Sequence, residues 1–409
     1  MKNLIDRKEY LEKLFAYKDK DLIKVVTGLR RSGKSTLFEL YRKKLLETGI
    51  DKEQIVFLNF EEFELRKYFE NLDALYSLII SQLDLSKPAY VFLDEIQNVS
   101  EFERLVDGLF VKQNIDVYIT GSNAFLLSSE LATLLSGRYI EISILPLSFK
   151  EYLTARKIDI TNKYLNFEAY FFDYVNETSL PKGIELRKLG FDKIMDYLDA
   201  IYKTVIEKDI YFRHNIYDKQ SFENLTKFIA SNIGSQVSPG NIANIFKQEG
   251  RNIHNTTIEK YLNYLVASFI FYKVNRFDLK GKKQLLTQEK YYLVDLGLLN
   301  IFLGKEKTAD RGHILENIVF LELLRRGNKI WTGSTRNNEV DFVCKTKTGD
   351  IEYYQVSWQL ESEKVREREF SALEKINDNY EKYLLTTDSF LQDRKGIKHL
   401  NVFNWLLEN

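Results

Sequence analysis

The chain has 409 residues, 59 basic and 59 acidic side chains and a formal net charge of zero, so no global basic field draws it to nucleic acid and any such binding needs a local patch. Its length allows two to four domains, and 44% hydrophobic with 29% charged residues describes an ordinary soluble globular protein. The single Cys344 excludes an internal disulfide and a multi-cysteine zinc site, and no apolar run approaches a membrane span, which reads as a cytoplasmic protein with no membrane partner.

Residues 1 to about 20 read as an amphipathic helix around Arg7–Leu14. Lys24-Val25-Val26-Thr27 then runs into Gly28-Leu29-Arg30-Arg31-Ser32-Gly33-Lys34-Ser35, and Thr36-Leu37-Phe38-Glu39-Leu40 continues as a helix. Strand, Gly-x-x-x-x-Gly-Lys-Ser and helix together make a phosphate-binding P-loop, or Walker A motif. Gly28 and Gly33 let the backbone bend and bring its N–H groups to a phosphate chain, with the helix dipole behind them. Lys34 reaches the β- and γ-phosphates, Ser35 offers a hydroxyl to Mg²⁺, and Arg30, Arg31, Ser32 and Thr36 complete the cradle. ATP and Mg²⁺ are the expected cofactors.

Gly49 is placed to end that helix. Ile55–Phe60 reads as a strand buried on both faces, and a helix follows over 72–80. Ala89-Tyr90-Val91-Phe92-Leu93-Asp94-Glu95 is a Walker B strand, with Asp94 for Mg²⁺ and Glu95 to orient and deprotonate the attacking water. A further strand spans 115–123, and a polar group at its tip is placed to meet the γ-phosphate or the lytic water. Asn123 is the first candidate and Ser122 the second; the alternative is that both cap a helix over 124–127. Arg138, just before the strand 139–144, reads either as a transition-state arginine given to a neighbouring subunit of a homo-oligomer or as a salt-bridge partner. Alternating strands and helices over 20–145 predict a doubly wound α/β core.

Residues 148–215 turn helical and rich in Tyr and Phe, a candidate lid, with Pro181 and Gly183 marking a break. Residues 216–304 hold three amphipathic helices, the second opened by Ser238-Pro239, and two strands at 269–274 and 290–294. That order predicts a winged helix-turn-helix. Its third helix, through Asn255, Thr256, Thr257 and Lys260, would enter a DNA groove, and Lys280, Lys282 and Lys283 would sit on phosphate; the alternative is a winged helix used for protein packing. Residues 305–409 place Glu316 in a helix, then Glu339-Val340-Asp341-Phe342, then Gln355-Val356-Ser357, an endonuclease-like α/β pattern. A metal-dependent nuclease would need a carboxylate and a lysine where Gln355 and Ser357 stand, so the pattern reads as a degenerate scaffold with Glu316, Asp341 and Glu339 left over.

The chain resembles a family of prokaryotic AAA-type ATPases with an N-terminal P-loop domain and a C-terminal region of unknown function. The likeness rests on the Walker A run, Leu93-Asp94-Glu95-Ile96-Gln97, Thr120-Gly121-Ser122, Leu145-Pro146-Leu147-Ser148-Phe149 and Glu339-Val340-Asp341-Phe342. It implies ATP binding and hydrolysis and names no substrate. The expected organisation is therefore a P-loop core (1–147), a helical connector (148–215), a winged helix (216–304) and an endonuclease-like domain (305–409). The expected function is a Mg²⁺-dependent ATPase that switches its C-terminal module on DNA. The alternatives are an ATP-gated DNA endonuclease and a non-catalytic ATP-binding adaptor for protein partners.

Overall fold

The structure is a computed structural model that describes residues 5–127, 135, 137–162, 164–279, 283–304, 310–335 and 338–408. Its contacts define two compact units, Met1–Pro146 with Ala267–Phe269, and Leu147–Val266 with Ile270–Asn409.

The first unit runs α1 (Lys8–Ala16), β1 (Ile23–Thr27), α2 (Lys34–Glu47), β2 (Ile55–Asn59), α3 (Leu72–Ser81), β3 (Ala89–Asp94), α4 (Phe102–Phe110), β4 (Ile115–Gly121) and β5 (Tyr139–Ser143). All five strands are parallel, in the order β2-β3-β4-β1-β5. Side chains alternate between the two faces of a strand, and both faces here are apolar. Val25, Val91, Leu93, Val117 and Ile119 pack with Leu75 and Ile79 of α3 and Leu105 and Leu109 of α4. Their neighbours Val26, Phe92 and Tyr118 pack instead with Leu11 and Leu14 of α1 and Leu37, Phe38 and Tyr41 of α2. Helices on both faces of a parallel sheet make the doubly wound core that the sequence predicts. Thr27 is in register with Gly121 and Ser143, so these strands end together at one edge.

Three local expectations change. α1 is shorter than the segment read from periodicity. β2 is the sheet's edge strand and only Val56 in it is fully buried, because no strand pairs beyond it. Ala124–Leu127 forms a single 3₁₀ turn rather than a helix, and residues 128–134 and 136 lie outside the described residues.

The second unit opens with α5 (Phe149–Ala155), α6 (Phe167–Asn176), α7 (Pro181–Leu186) and α8 (Phe191–Thr204). Pro181, read as a break, is the first residue of α7, where a missing N–H leaves no hydrogen bond unmade. Then come α9 (Lys219–Ser231), β6 (Gln236–Val237), α10 (Pro239–Gln248), α11 (Asn255–Ala267), β7 (Phe271–Asp278) and β8 (Lys283–Leu293). Ser238 caps α10 by accepting from the Asn241 N–H, with Pro239 at the first helical position, as the sequence predicts. β8 pairs antiparallel with both β6 and β7, in a hairpin longer than expected. Lys280, Lys282 and the side chain of Lys283 lie outside the described residues.

α12 (Leu298–Leu303), α13 (Arg311–Arg325), β9 (Lys329–Thr335), β10 (Asn338–Lys345), β11 (Ile351–Val356), α14 (Glu363–Glu374), β12 (Glu381–Thr386), β13 (Ile397–Asn401) and α15 (Val402–Leu407) complete the unit. One eight-stranded sheet runs β13-β12-β11-β10-β9-β7-β8-β6. The junction is a parallel pairing of β7 with β9, with Arg276 opposite Thr332 and Asp278 opposite Ser334. Backbone hydrogen bonds thus cross the boundary drawn at 304, and apart from Ala267–Phe269 the chain from Leu147 onward lies in one unit.

Candidate functional site

The P-loop leaves the end of β1 and folds under tight steric limits. Gly28 has φ +141°, and a Cβ there would stand 2.3 Å from the Ile144 carbonyl oxygen, far inside contact distance. Gly33 has φ +105° and precedes α2, so the loop turns sharply onto a helix N-terminus whose first N–H groups lack intrahelical partners. Arg7, next to α1, braces the loop. Its guanidinium donates to the Ser32 carbonyl at 3.2 Å and to the Leu145 carbonyl at 2.7 Å.

The Lys34 ammonium lies buried at the loop's centre. It donates to the carbonyls of Gly28 (3.1 Å) and Leu29 (3.2 Å) and to Ser122 Oγ (2.8 Å), with Glu95 Oε1 at 3.6 Å. The Ser122 hydroxyl donates to Glu95 Oε1 at 2.6 Å, and the Gln97 amide donates to Glu95 Oε2 at 2.5 Å. Thr120 Oγ1 donates to Asp94 Oδ1 at 2.5 Å and accepts from the Glu95 N–H at 2.8 Å. Glu95 itself has φ +54°, a left-handed conformation that a non-glycine residue adopts only where its surroundings enforce it.

Burial dominates the electrostatics. It pushes the Asp94 carboxyl above its ordinary range, against the nearby hydroxyls of Ser35 and Thr120. It lowers the Lys34 pKa, against the pull of Glu95 and Asp94. For Glu95 burial opposes the charge, but Lys34, the Ser122 hydroxyl, Arg30 and Gln97 outweigh it and hold the carboxyl below its usual value. The buried atoms Asp94 Oδ2, Ser32 Oγ and Gln97 Oε1 have no hydrogen-bond partner among the described residues. An unmatched carboxylate oxygen beside Ser35 and a lysine seated over loop carbonyls fit a hydrated Mg²⁺ and the phosphates that go with it.

The structure brings Gly28, Ser32, Gly33, Lys34, Ser35, Asp94 and Glu95 together, with the strand-tip candidates Ser122 and Asn123 both buried. Ser122 meets both Lys34 and Glu95, and Asn123 is buried beside it. Arg30 lies 3.4 Å from Glu61, Arg31 is exposed at φ +67°, and Thr36 is half-buried in the first turn of α2. Arg138 is at the other end of the sheet: its carbonyl accepts from Ile23, the first residue of β1, and its half-exposed guanidinium pairs with Asp107 at 3.0 Å. An exposed pair of this kind is worth under about 1 kcal/mol. Gln97 and Thr120 stand in runs that carry the family likeness, but neither they nor Arg7 were assigned a role from the sequence.

The second unit holds another polar cluster. Glu316, Glu339, Asp341, Gln355 and Ser357 line a cavity of about 730 Å³ with Glu369 and Trp358. The Gln355 amide donates to Glu369 Oε2 at 2.8 Å, and the Asp341 carboxylate accepts from the Val356 N–H at 2.8 Å. Lys290 of β8 also reaches the carboxylates, which sequence reading missed. Among the described residues no group of three Asp, Glu, His or Cys side chains is arranged to hold a metal ion, and no helix is long and apolar enough to cross a membrane.

The AAA domain family matches residues 20–153, and the Domain of unknown function (DUF8612) matches residues 188–309. The "Uncharacterized protein" of Haemophilus influenzae is 39% identical over 409 residues, covering 100% of both chains. "Uncharacterized protein MJ1544" of Methanocaldococcus jannaschii is 32% identical over 366 residues, 86% of this chain and 78% of that one. Among solved structures, the Walker-type ATPase of Pyrococcus abyssi aligns with a TM-score of 0.44 at 16% identity, over 73% of this chain and 95% of that one. AMPPCP-bound DnaA from Aquifex aeolicus aligns with a TM-score of 0.32 at 14% identity, over 63% and 86%. With 39% identity over the whole chain to the first relative and 32% over 86% of it to the second, and an AAA domain at residues 20–153, the chain belongs to the same family as the Haemophilus and Methanocaldococcus proteins.

Proposed function

We propose that this chain is a Mg²⁺-dependent ATP hydrolase whose nucleotide cycle switches the C-terminal unit, and that DNA is the ligand of that unit. The observation that carries the reading is the convergence of Lys34, Ser122, Asp94 and Glu95 beside the P-loop. A γ-phosphate would compete with Ser122 and the loop carbonyls for the Lys34 ammonium. Bound Mg²⁺ would supply charge neutralisation at the β- and γ-phosphates, from the Ser35 and Asp94 side. Glu95, buried and ionised, is then the group placed to take a proton from water. Purified protein is expected to release phosphate from ATP only with Mg²⁺, and faster when DNA is added. Turnover that is indifferent to DNA would remove DNA from the reading and leave the ATPase.

The DNA part rests on element order. α9, β6, α10, α11 and the β7–β8 hairpin, with β6 paired to β8, follow a winged helix-turn-helix, and Asn255, Thr256 and Lys260 at the start of α11 are exposed. Cleavage is not part of the proposal. Gln355 puts a neutral amide where a strand carboxylate would be needed, and Ser357 cannot supply a lysine's charge. Each lost electrostatic contact costs about 3 kcal/mol in a hydrolytic transition state. The protein with Mg²⁺ or Mn²⁺ and ATP is therefore expected to leave single- and double-stranded DNA uncut, and Asp341→Ala to leave ATP turnover unchanged. Metal-dependent nicking abolished by Asp341→Ala would promote the ATP-gated endonuclease.

Arg138 gives a further test. Acting on a neighbouring copy's phosphate requires a homo-oligomer, and its Asp107 pairing favours a surface role within the chain. Arg138→Ala is expected to change ATP turnover by less than about threefold. A loss of about a thousandfold with normal ATP binding, restored by adding Lys34→Ala protein, would establish the arginine as a finger in trans.

A further inference from the structure

The carboxylates at the floor of the second unit's cavity already hold a cation, and it comes from the chain. Lys290 lies on β8, and alternate residues of that strand face the same way, so Lys290 and Tyr292 point together at α13 and β10. The Lys290 ammonium is 2.9 Å from Glu316 Oε1, 2.7 Å from Glu339 Oε1 and 4.0 Å from Asp341 Oδ1, and the residue is 4% exposed. Other donors meet the same carboxylates. Tyr292 OH donates to Glu316 Oε1 at 2.6 Å, Gln236 Nε2 donates to Glu339 Oε2 at 2.7 Å, and the Val356 N–H donates to Asp341 Oδ2. Gln236 is the register partner of Lys290 across the β6–β8 pairing, so one strand pair delivers both donors to Glu339.

We infer that Lys290 is a resident cation: its ammonium stands between Glu316, Glu339 and Asp341 and supplies the charge that a divalent ion would otherwise bring, and with it in place the three carboxylates are spread around an ammonium rather than arranged to hold a metal ion. A buried carboxylate cluster without a counter-ion is strongly destabilising, and a divalent ion or an ammonium can each supply the charge. A lysine supplies it permanently, independent of metal supply, and ties the β7–β8 hairpin to α13 and β10. Burial works against the Lys290 charge, but Glu316, Asp341 and Glu339 outweigh it and hold the ammonium protonated. The inference makes no use of the nucleotide site, so loss of the ATPase reading would leave it standing.

The test is Mn²⁺ uptake by the nucleotide-free full-length chain, followed by the electron paramagnetic resonance of free Mn²⁺. Lys290→Met is expected to gain a Mn²⁺ site at least about tenfold tighter than any in the unaltered protein, because three oxygen ligands lose their competitor. Adding Asp341→Asn should abolish that site, and Lys290→Arg, still a cation, should not create it. Mn²⁺ should raise the melting temperature of Lys290→Met alone. If Lys290→Met does not fold, Lys290→Met/Glu316→Gln, with less unbalanced charge, is expected to be recovered folded; failure of both would overturn the inference. So would a Mn²⁺ site in the unaltered chain that disappears in Asp341→Asn, because lysine and metal would then share the cluster.

Discussion

Glu95→Gln is expected to keep ATP and Mg²⁺ on the protein while reducing turnover by about a hundredfold to ten-thousandfold. The amide has nearly the shape of the carboxylate and can still accept from Ser122, so the loop, Lys34 and the Asp94–Thr120 pair stay in place. It cannot take a proton from water, and it no longer gives Lys34 a charged neighbour at 3.6 Å. Lys34→Ala is the contrasting variant, because it removes the buried ammonium that the phosphates would meet, and it should lose binding itself. Titration with a fluorescent ATP analogue separates the two, and phosphate release measures the rest. Turnover in Glu95→Gln within about threefold of the unaltered protein would exclude Glu95 as the base.

Gly28→Ala should fail earlier, at the level of the loop. The added methyl would have to occupy space 2.3 Å from the Ile144 carbonyl oxygen, which belongs to backbone and cannot rotate away. The Ile144 N–H is in turn bonded to the Thr27 carbonyl at 2.8 Å, so relieving the clash means parting the chain after β5 from β1. Overpacking against backbone at a positive φ costs on the order of 3 kcal/mol. The expected result is a lower urea midpoint together with the loss of ATP binding. Gly49→Ala is the control, since a Cβ at Gly49 meets nothing within 4 Å even though φ is +90° there. It should lower stability modestly and leave ATP binding intact. Equal ATP affinity in Gly28→Ala and the unaltered protein would show that the loop is far softer than its packing implies.

The parts of this molecule legible in the sequence are those where neighbours along the chain are also neighbours in space. The Walker A run is one, because its glycines, lysine and serine act within a single turn of backbone. The strand–helix alternation of the first unit is another, because buried parallel strands and the helices covering them each carry a local period. The contacts of Ser122 were within reach. Thr120, which touches Asp94, is followed two residues on by Ser122, which meets Lys34 and Glu95 just past the end of β4. Gln97 was harder to see, since its contact with Glu95 depends on the left-handed turn at Glu95 itself. Lys290 lay beyond reach altogether. It stands between a polar stretch and an apolar one, 26 residues from Glu316 and 49 from Glu339, and only the register of β8 against β6 and the packing of α13 bring them together. The edge position of β2 likewise depends on strand order, which composition does not encode.

The parallel pairing of β7 with β9 has a practical consequence for anyone dividing this chain. A piece ending at residue 304 would strip β7 of its neighbour and leave the backbone of Arg276–Asp278 as a raw edge. Phe277 and Leu279, which pack against the Val340 and Val343 cluster, would lose their cover with it. An unpaired strand flanked by bare apolar side chains recruits other copies of itself. Such a piece would therefore report self-association whatever its affinity for DNA, and DNA-binding measurements belong on a chain cut, if at all, outside this sheet.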